Sequence, residues 1–387
     1  MTEGFLPYGR QTIEDDDIAA VAAALRGDYL TTGPTVEAFE TAFREVVGAE
    51  HAVACSNGTA ALHMAMLAAR IGPGDVCIVP SITFLATANC AAYVGADVVF
   101  ADVGPDSGLM TAETLAQALH RAKGRRVRAV LPVHLRGDVC DVPALAALAG
   151  EAGAILVEDA PHALGSSLKV GNHVARVGDG AHSSMATFSF HPVKTIATGE
   201  GGMVTTNDAD LAGRLRLARS HGMTRTPGAD PWLYEMAEPG FNYRLPDINC
   251  ALGLSQLAKL PRFMGRRRTL AALYETALEP LAPTVRLAAR PEGSDPVLHL
   301  LTVLIDFEAA GTSRRQVVEA LAAQGIGSQV HYIPVHSQPY WQARNGPLDL
   351  PGAQAWYDRC LSLPLYPSMD DGDVARVVDA LQASLVR

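Results

Sequence analysis

The sequence predicts an α/β protein, with a mainly parallel sheet in a large domain and a smaller α+β domain towards the C terminus. Short apolar runs rich in Val and Ile alternate with Ala- and Leu-rich stretches of helical period, a pattern typical of parallel strands covered by helices on both faces. A length of 387 residues is large for a single hydrophobic core, which favours two domains. We place the boundary near residue 260, between domains 1–260 and 261–387.

The individual elements follow in the order that this fold class requires. Strands are predicted at 51–55, 76–79, 97–101, 129–133, 155–157, 186–190 and 202–206. Helices are predicted at 12–25, 35–47, 59–70, 111–122, 142–151 and 208–220, and Ser, Thr or Asp caps open most of them. One long helix over 247–268, a strand at 299–306 and a helix at 314–324 lead into the smaller domain.

Composition argues against several classes of partner. A net charge of -10 and a pI near 5.6 disfavour nucleic acid and anionic membranes. The uncharged stretch 76–96 contains Pro80, Asn89 and Gly95, so we interpret it as strand, loop and helix rather than a membrane span. The first residues lack a basic region followed by an apolar one, so no export signal is expected.

The cysteines indicate a reducing compartment. They lie far apart, without a CxxC pair and without metal-ligand spacing, so we expect reduced thiols in the core, no metal site and a cytoplasmic location. The six positions are Cys55, Cys77, Cys90, Cys140, Cys250 and Cys360.

Two carboxylates end a buried strand. Glu158 and Asp159 follow Ile155-Leu156-Val157, at the end of a parallel strand where α/β sheets place ligand-binding groups. An acid in this position can also simply cap the next helix. This segment alone leaves both interpretations open for Asp159.

A lysine further along the chain lies in an unusual setting. Lys194 follows Ser189-Phe190-His191-Pro192-Val193 and precedes the glycine-rich Gly199-Glu200-Gly201-Gly202. A solvated surface lysine is the common alternative, yet apolar and glycine neighbours favour a cleft. A desolvated amine loses its proton more easily and can form an imine with an aldehyde. With Asp159 beside a pyridinium nitrogen, the pair predicts pyridoxal 5'-phosphate (PLP) as cofactor.

A third segment fits the cofactor phosphate. Ser56-Asn57-Gly58-Thr59 forms a strand-to-helix turn, and backbone N–H groups at a helix N-terminus bind phosphate well. Many helices begin with Gly-Thr for capping alone, so this motif is weak by itself. The three segments in this chain order are a stronger indication.

At these residues the sequence resembles the DegT/DnrJ/EryC1/StrS family of sugar aminotransferases, across nearly the whole chain. The similar stretches include Leu30-Thr31-Thr32-Gly33-Pro34, Thr83-Phe84-Leu85-Ala86-Thr87-Ala88-Asn89 and Gly240-Phe241-Asn242-Tyr243-Arg244, beside the segments quoted above. Within the family it most resembles the UDP-sugar 4-aminotransferases of pseudaminic acid biosynthesis, through His162, Arg219-Ser220-His221-Gly222 and Val330-His331-Tyr332-Ile333-Pro334-Val335-His336. The resemblance implies the PLP-dependent type I aminotransferase fold, with L-glutamate and a nucleotide-linked keto sugar as substrates.

The resemblance also implies roles for residues around the cofactor ring. Lys194 would form the imine with PLP, and Asp159 would pair with the pyridine nitrogen. Phe84 would stack on the ring. His162 stands where most of the family has glutamine and would hydrogen-bond the phenolic oxygen of the cofactor.

Other residues are implied for the phosphate and for assembly. Gly58, Thr59 and Ser189 would hold the phosphate within one subunit. Asn242 is similar to the family residue that reaches the phosphate from the neighbouring subunit, which implies a homodimer with shared active sites.

Substrate contacts are implied by the pseudaminic branch. The alternatives are an anchor for an ordered N-terminal arm in the case of Tyr8 and a core histidine in the case of His331. The candidate residues are Tyr8, Asp28, Tyr29, Leu30, Thr31, Val330, His331, Tyr332 and Ile333.

Several arginines are left without an assigned role. Arg136 stands where the family usually has a small or aromatic residue, and the sequence alone gives no reason for it. Arg10, Arg219 and Arg244 are candidates for binding the glutamate carboxylate or the nucleotide diphosphate, because both anions favour arginine.

Other functions share parts of this pattern. Sugar 3-dehydratases of the same family carry histidine in place of the lysine, so Lys194 argues against them. A PLP-binding regulator without catalysis, an amino-acid aminotransferase, and an aminotransferase for a dTDP-linked or 3-keto sugar all remain open.

Overall fold

The computed structural model describes residues 4–228 and 230–385. Residues 1–3 lie outside this part. They begin the N-terminal stretch in which no export signal is expected. The strands in the described residues are β1 (His51–Cys55), β2 (Asp75–Pro80), β3 (Asp97–Ala101), β4 (Arg126–Val130), β5 (Ile155–Asp159), β6 (Ser167–Val170), β7 (His173–Arg176), β8 (Met185–Ser189), β9 (Gly202–Thr206), β10 (Met223–Thr224), β11 (Glu235–Met236), β12 (Val285–Leu287), β13 (Ser294–Asp295), β14 (Leu301–Ile305) and β15 (Cys360–Leu363).

Helices alternate with most of these strands. They are α1 (Asp15–Arg26), α2 (Pro34–Val47), α3 (Gly58–Ala68), α4 (Leu85–Tyr93), α5 (Ala112–Arg121), α6 (Val142–Glu151), α7 (Ala209–Arg219), α8 (Asp247–Ala258), α9 (Leu260–Leu278), α10 (Arg314–Ala323), α11 (Pro339–Asn345), α12 (Pro351–Arg359) and α13 (Asp371–Leu385). The apolar stretch 76–96 divides into β2, a loop and α4, as predicted. Among the described residues, no helix is both long and apolar enough to cross a bilayer.

The central sheet has seven strands in the order β1-β9-β8-β5-β4-β2-β3. The strands from β8 to β3 run parallel, and β9 runs antiparallel to both of its neighbours. The strands are mostly buried because helices cover both faces. The predicted α/β class with a mainly parallel sheet is confirmed. Since β5 and β8 are parallel neighbours, Asp159 and Ser189 lie at the same edge of the sheet.

Several predicted limits were wrong by up to three residues, such as the helix expected at 12–25, which is Asp15–Arg26, and two elements need a physical explanation. The strand expected at 129–133 is Arg126–Val130, because Arg126 already pairs with Asp75 of β2 and the residues after Val130 leave the regular ladder. The single helix expected over 247–268 is two helices, α8 and α9, which meet at Lys259. Pro261 in the first turn of α9 has no N–H to continue the hydrogen bonds of α8, so the chain bends there.

A second hydrophobic cluster lies in the C-terminal part. Strands β12, β14 and β15 form an antiparallel sheet, and buried residues of α9, α10 and α13 pack together with it. This is the smaller α+β part. Trp341 and Trp356, from α11 and α12, belong instead to the first cluster. The boundary at residue 260 stays a prediction.

Candidate active site

Asp159 is a buried acid at the end of β5. Thr87 of α4 donates its hydroxyl to Oδ2 of Asp159 at 2.5 Å. Burial raises the pKa of Asp159 to about 6, against the opposing effects of Thr87 and of the charge on Lys194. In the described part of the chain, the buried Oδ1 has no hydrogen-bond partner. An acceptor left open in this way fits a pyridinium N–H.

The neighbouring acid Glu158 has a different environment. Its carboxylate contacts Nε2 of His134 at 2.7 Å and accepts a hydrogen bond from Ser183 at 2.5 Å. Successive side chains of a strand point to opposite faces, so Glu158 and Asp159 face opposite sides of the sheet. Glu158 therefore stabilises the loop after β4, while Asp159 is left for the cleft.

Lys194 lies in a turn after β8. Its backbone N–H donates to the carbonyl of His191 at 2.8 Å. Burial lowers the pKa of its amine to about 8, although the charge of Asp159 opposes this shift. Burial lowers the pKa of His162 and of His331, and the charge of Lys194 lowers both further. Such an amine can be neutral near physiological pH, as imine formation requires.

Gly58 and Ser189 meet at the start of α3. A Cβ on Gly58 would lie 2.8 Å from Cβ of Ser189, so glycine allows this close approach. Oδ1 of Asn57 caps the N–H of Ala60 at 2.8 Å, and the N–H groups of Gly58 and Thr59 remain for another acceptor. A helix N-terminus next to a serine hydroxyl is well suited to a phosphate.

His162 is buried, and its hydrogen bonds define its tautomer. The backbone N–H of Arg136 donates to Nδ1 at 3.3 Å, so the proton resides on Nε2. Burial holds the pKa of His162 well below its usual value, so the ring is neutral. Nε2 lies 3.4 Å from the hydroxyl of Tyr332, whose ring stacks at 6.3 Å. The ring of Phe84 lies 6.1 Å from that of Tyr332.

Two further substrate candidates lie beside this group. The rings of Tyr8 and His331 are 5.3 Å apart, and the ring of His331 contacts that of Tyr332 at 4.8 Å. Nδ1 of His331 is 2.9 Å from the hydroxyl of Ser362. Burial lowers the pKa of His331 to about 3, so this ring is also neutral.

Within the described residues, no hydrogen bond or ring contact joins the other predicted residues to Lys194 or Asp159. Those on the exposed surface are Asp28, Tyr29, Leu30, Thr31, Asn242 and Ile333. The loop that carries Leu30 is anchored on α8, because the N–H of Asp247 donates to the carbonyl of Leu30 at 3.0 Å. Val330 packs at the junction of both hydrophobic clusters. Within one subunit, the described contacts bring neither the 28–31 loop nor Asn242 to Lys194.

A cavity of about 450 Å³ lies elsewhere, beside β1 and between α2 and α7. Arg219 and Arg244 contribute to its lining. Arg219 is already engaged, because Nη1 donates to Glu40 at 2.5 Å and to the carbonyl of Ala54 at 3.0 Å. This cavity contains none of the residues around Lys194, so we do not equate it with the active site.

Sequence reasoning missed two contributors to the cleft. One is Thr87, which donates to Asp159. The sequence pattern that could have indicated it is a second threonine, Thr83, four residues earlier, and the two hydroxyls lie 2.7 Å apart. His299 lies 4.6 Å from the ring of His162, and it carried no local signal because it comes from a distant part of the chain.

The raised pKa of Asp159 predicts a pH-dependent stability of the cofactor-free protein. Asp159 titrates near 3.8 when unfolded and near 6 when folded, so the unfolded chain ionises first and stability falls as the pH rises through this window. Asp159→Asn should therefore unfold with a free energy about 1 to 3 kcal/mol higher than wild type at pH ~7.5, and with little difference near pH ~4. Urea titrations at both pH values measure this, and an equal difference at both would contradict it.

The fold and the site together define a class of protein. A buried acid, a desolvated lysine and a helix N-terminus at one edge of a mainly parallel sheet are the features that a PLP-dependent aminotransferase requires. The chain belongs to the DegT/DnrJ/EryC1/StrS aminotransferase family, whose model matches residues 11–382.

Individual relatives agree with this assignment. The chain is 39% identical over 386 residues to the spore coat polysaccharide biosynthesis protein SpsC of Bacillus subtilis, covering 98% of this chain and 96% of that one. Helicobacter pylori PseC, an aminotransferase involved in the biosynthesis of pseudoaminic acid, has a TM-score of 0.89 at 28% identity, covering 98% and 99% of the two chains. The PLP form of the putative sugar aminotransferase Spr1654 of Streptococcus pneumoniae has a TM-score of 0.87 at 26% identity, covering 98% of each chain. The predicted cofactor is confirmed.

Proposed function

We propose that this enzyme transfers the amino group of L-glutamate to the C4 keto group of a UDP-linked 6-deoxy-N-acetylhexosamine. It would act as a UDP-4-amino-4,6-dideoxy-N-acetyl-altrosamine transaminase of the pseudaminic acid pathway. The observation that carries this proposal is His162, a neutral donor where most of the family has glutamine, in a fold similar to that of PseC. A cytoplasmic location remains part of the proposal.

The residues of the cleft can divide the chemistry among them. PLP supplies the electron sink that stabilises negative charge at the reacting carbon. Asp159 keeps the pyridine nitrogen protonated, because a buried carboxylate without a partner at Oδ1 favours an N–H there. Nζ of Lys194 takes and returns the proton at the substrate carbon, since a pKa of about 8 leaves part of it neutral.

Substrate binding is proposed for two groups of residues. The half-buried rings of Tyr8 and Tyr332 and the buried ring of His331 form an aromatic wall next to His162, suitable for the sugar ring. Arg10 is the proposed anion-binding arginine of the same subunit, since the guanidinium of Arg219 is engaged with Glu40. Arg244 lines the separate cavity, so it would bind the substrate only from the neighbouring subunit.

The substrate proposal is tested by product analysis. Purified enzyme with L-glutamate and a UDP-linked 4-keto-6-deoxy-N-acetylhexosamine should yield 2-oxoglutarate and a sugar nucleotide that carries an amine, detected by mass spectrometry. Parallel reactions contain a dTDP-linked 4-keto sugar and a 3-keto sugar. If either of these sugars is turned over faster, it is the substrate in place of the proposed one. The second candidate is another sugar of polysaccharide biosynthesis, because the chain is similar to SpsC. A visible cofactor absorbance that glutamate leaves unchanged would favour a non-catalytic regulator.

We further propose a homodimer in which each active site takes residues from both subunits. Tyr29, Leu30 and Phe241 expose 59%, 48% and 39% of their surface, although they are large and apolar. Tyr29 and Leu30 belong to the 28–31 loop, and Phe241 precedes Asn242. The described contacts bring neither segment to Lys194 of the same subunit. A second copy would cover this apolar surface and supply Asn242 to the phosphate.

Mixed dimers test the sharing of active sites. In a mixed dimer, one subunit carries Lys194→Ala and the other carries Asn242→Ala, so the two changes fall in the same site only if each site takes residues from both subunits. If the site is shared, a mixed dimer has one intact site, so equal mixing after refolding should restore about one quarter of wild-type activity. Activity that stays at the level of the separate variants would exclude sharing through Asn242.

A further inference from the structure

The side chain of Arg136 is buried between two parts of the fold. Its guanidinium forms a salt bridge with Asp138 at 2.9 Å, and both side chains are almost fully buried. Nη2 also donates to the carbonyl of Ala289 at 3.0 Å. The guanidinium lies 5.5 Å from the ring centre of Trp356, within cation–π distance. One side chain thus connects the loop after β4 to segments more than a hundred residues away.

The backbone of Arg136 is held at the same time. Its φ is 67°, in the left-handed region, which is unfavourable for a residue with a side chain and persists only when surroundings impose it. Its carbonyl accepts the N–H of His299 at 2.7 Å, and its N–H donates to Nδ1 of His162 at 3.3 Å. At Gly137, a Cβ would clash with the carbonyl oxygen of Val297 and would lie 3.1 Å from that of His162, so the loop packs closely against both residues.

The tautomer of His162 follows from this arrangement. Because the backbone N–H of Arg136 donates to Nδ1, that nitrogen must accept, and the proton of the neutral ring lies on Nε2. Nε2 is the atom that faces Tyr332. The other ionisable groups around His162 are His299, Lys194 and His331, and none of them accounts for the hydrogen bond at Nδ1.

We propose that Arg136 is a positioning residue for the cofactor site. Asp138, Ala289 and Trp356 hold the guanidinium of Arg136 in place. This keeps the backbone N–H of Arg136 against Nδ1 of His162, and so fixes the ring as an Nε2–H donor. The family's small or aromatic residue lacks such a clamp. The effect on the cofactor rests on the proposed contact between His162 and the phenolic oxygen of PLP.

The experiment compares two readouts in the holoenzyme. Proton–nitrogen correlation spectra with isotope-labelled histidine report the tautomer of His162, assigned through its loss in His162→Ala. A pH titration of the visible cofactor absorbance reports the donor at the phenolic oxygen. The test variant is Arg136→Met with Asp138→Asn, which removes both buried charges together and leaves neither unpaired. The control is Arg290→Met, because Arg290 lies 3.6 Å from Asp138 and is half exposed.

In the double variant, the Nδ1-protonated tautomer should become populated, and the titration midpoint should rise by about half a unit to one unit, as expected for a weakened hydrogen bond. Arg290→Met should change neither readout. An unchanged tautomer in the folded double variant would overturn the proposal. If that variant does not fold, Arg136→Lys decides in the same way, because it keeps a charge opposite Asp138 but loses the planar fork. If the midpoint of the absorbance titration does not move in His162→Ala, the proposed contact between His162 and the phenolic oxygen of PLP is wrong. The tautomer of His162 in the Arg136 variants then still tests the positioning role of Arg136.

Discussion

Lys194→Ala is expected to abolish transamination, with a loss of about 10⁴-fold or more in kcat. The variant removes the amine that we propose both forms the imine with PLP and moves the substrate proton. Other residues of the cleft remain, so part of the cofactor should stay bound. Single-turnover reactions with L-glutamate measure the loss, and borohydride reduction followed by peptide mapping should label Lys194 in the wild type.

The matched control is Lys169→Ala, which removes an exposed lysine of β6. It should keep wild-type turnover and the same labelled peptide. Substantial activity in Lys194→Ala, or a borohydride label on another lysine, would refute the assignment of the whole site.

Asp159→Asn is expected to lower kcat by roughly 10³-fold, about 4 kcal/mol of activation free energy. Asparagine still accepts the hydrogen bond from Thr87, so the local structure should persist. It carries no charge to keep the pyridine nitrogen protonated, so the electron sink weakens. Steady-state kinetics with saturating glutamate measure the effect, and a variant within about tenfold of wild type would count against the role of Asp159.

Glu158→Gln is the control for Asp159→Asn because it removes a buried carboxylate from the adjacent residue. Glu158 contacts His134 and Ser183 rather than the cleft. Its substitution should reduce the free energy of unfolding while leaving kcat within about tenfold of wild type. Equal losses of kcat in both variants would indicate a general effect of buried charge in β5.

Part of the site could be predicted because its signals are local. A carboxylate after a buried strand, a lysine among apolar and glycine residues, and Gly-Thr at a helix start each lie within a few consecutive residues. Strand ends of a parallel sheet share one edge, so Asp159 and Ser189 are brought together by the fold class itself. The resemblance to a family then supplied roles that spacing cannot give.

The apolar patterns were sufficient for the α/β class and for most of the central strands, because secondary structure depends mainly on periodicity, and short motifs singled out Asp159 and Lys194 as candidates. Contacts between distant segments were not readable in this way. The hydroxyl of Thr87 on Asp159, the buried clamp of Arg136 and the tautomer of His162 depend on packing between residues far apart in the chain. Burial also decided the pKa values near 6 and 8, since desolvation exists only once the chain has folded.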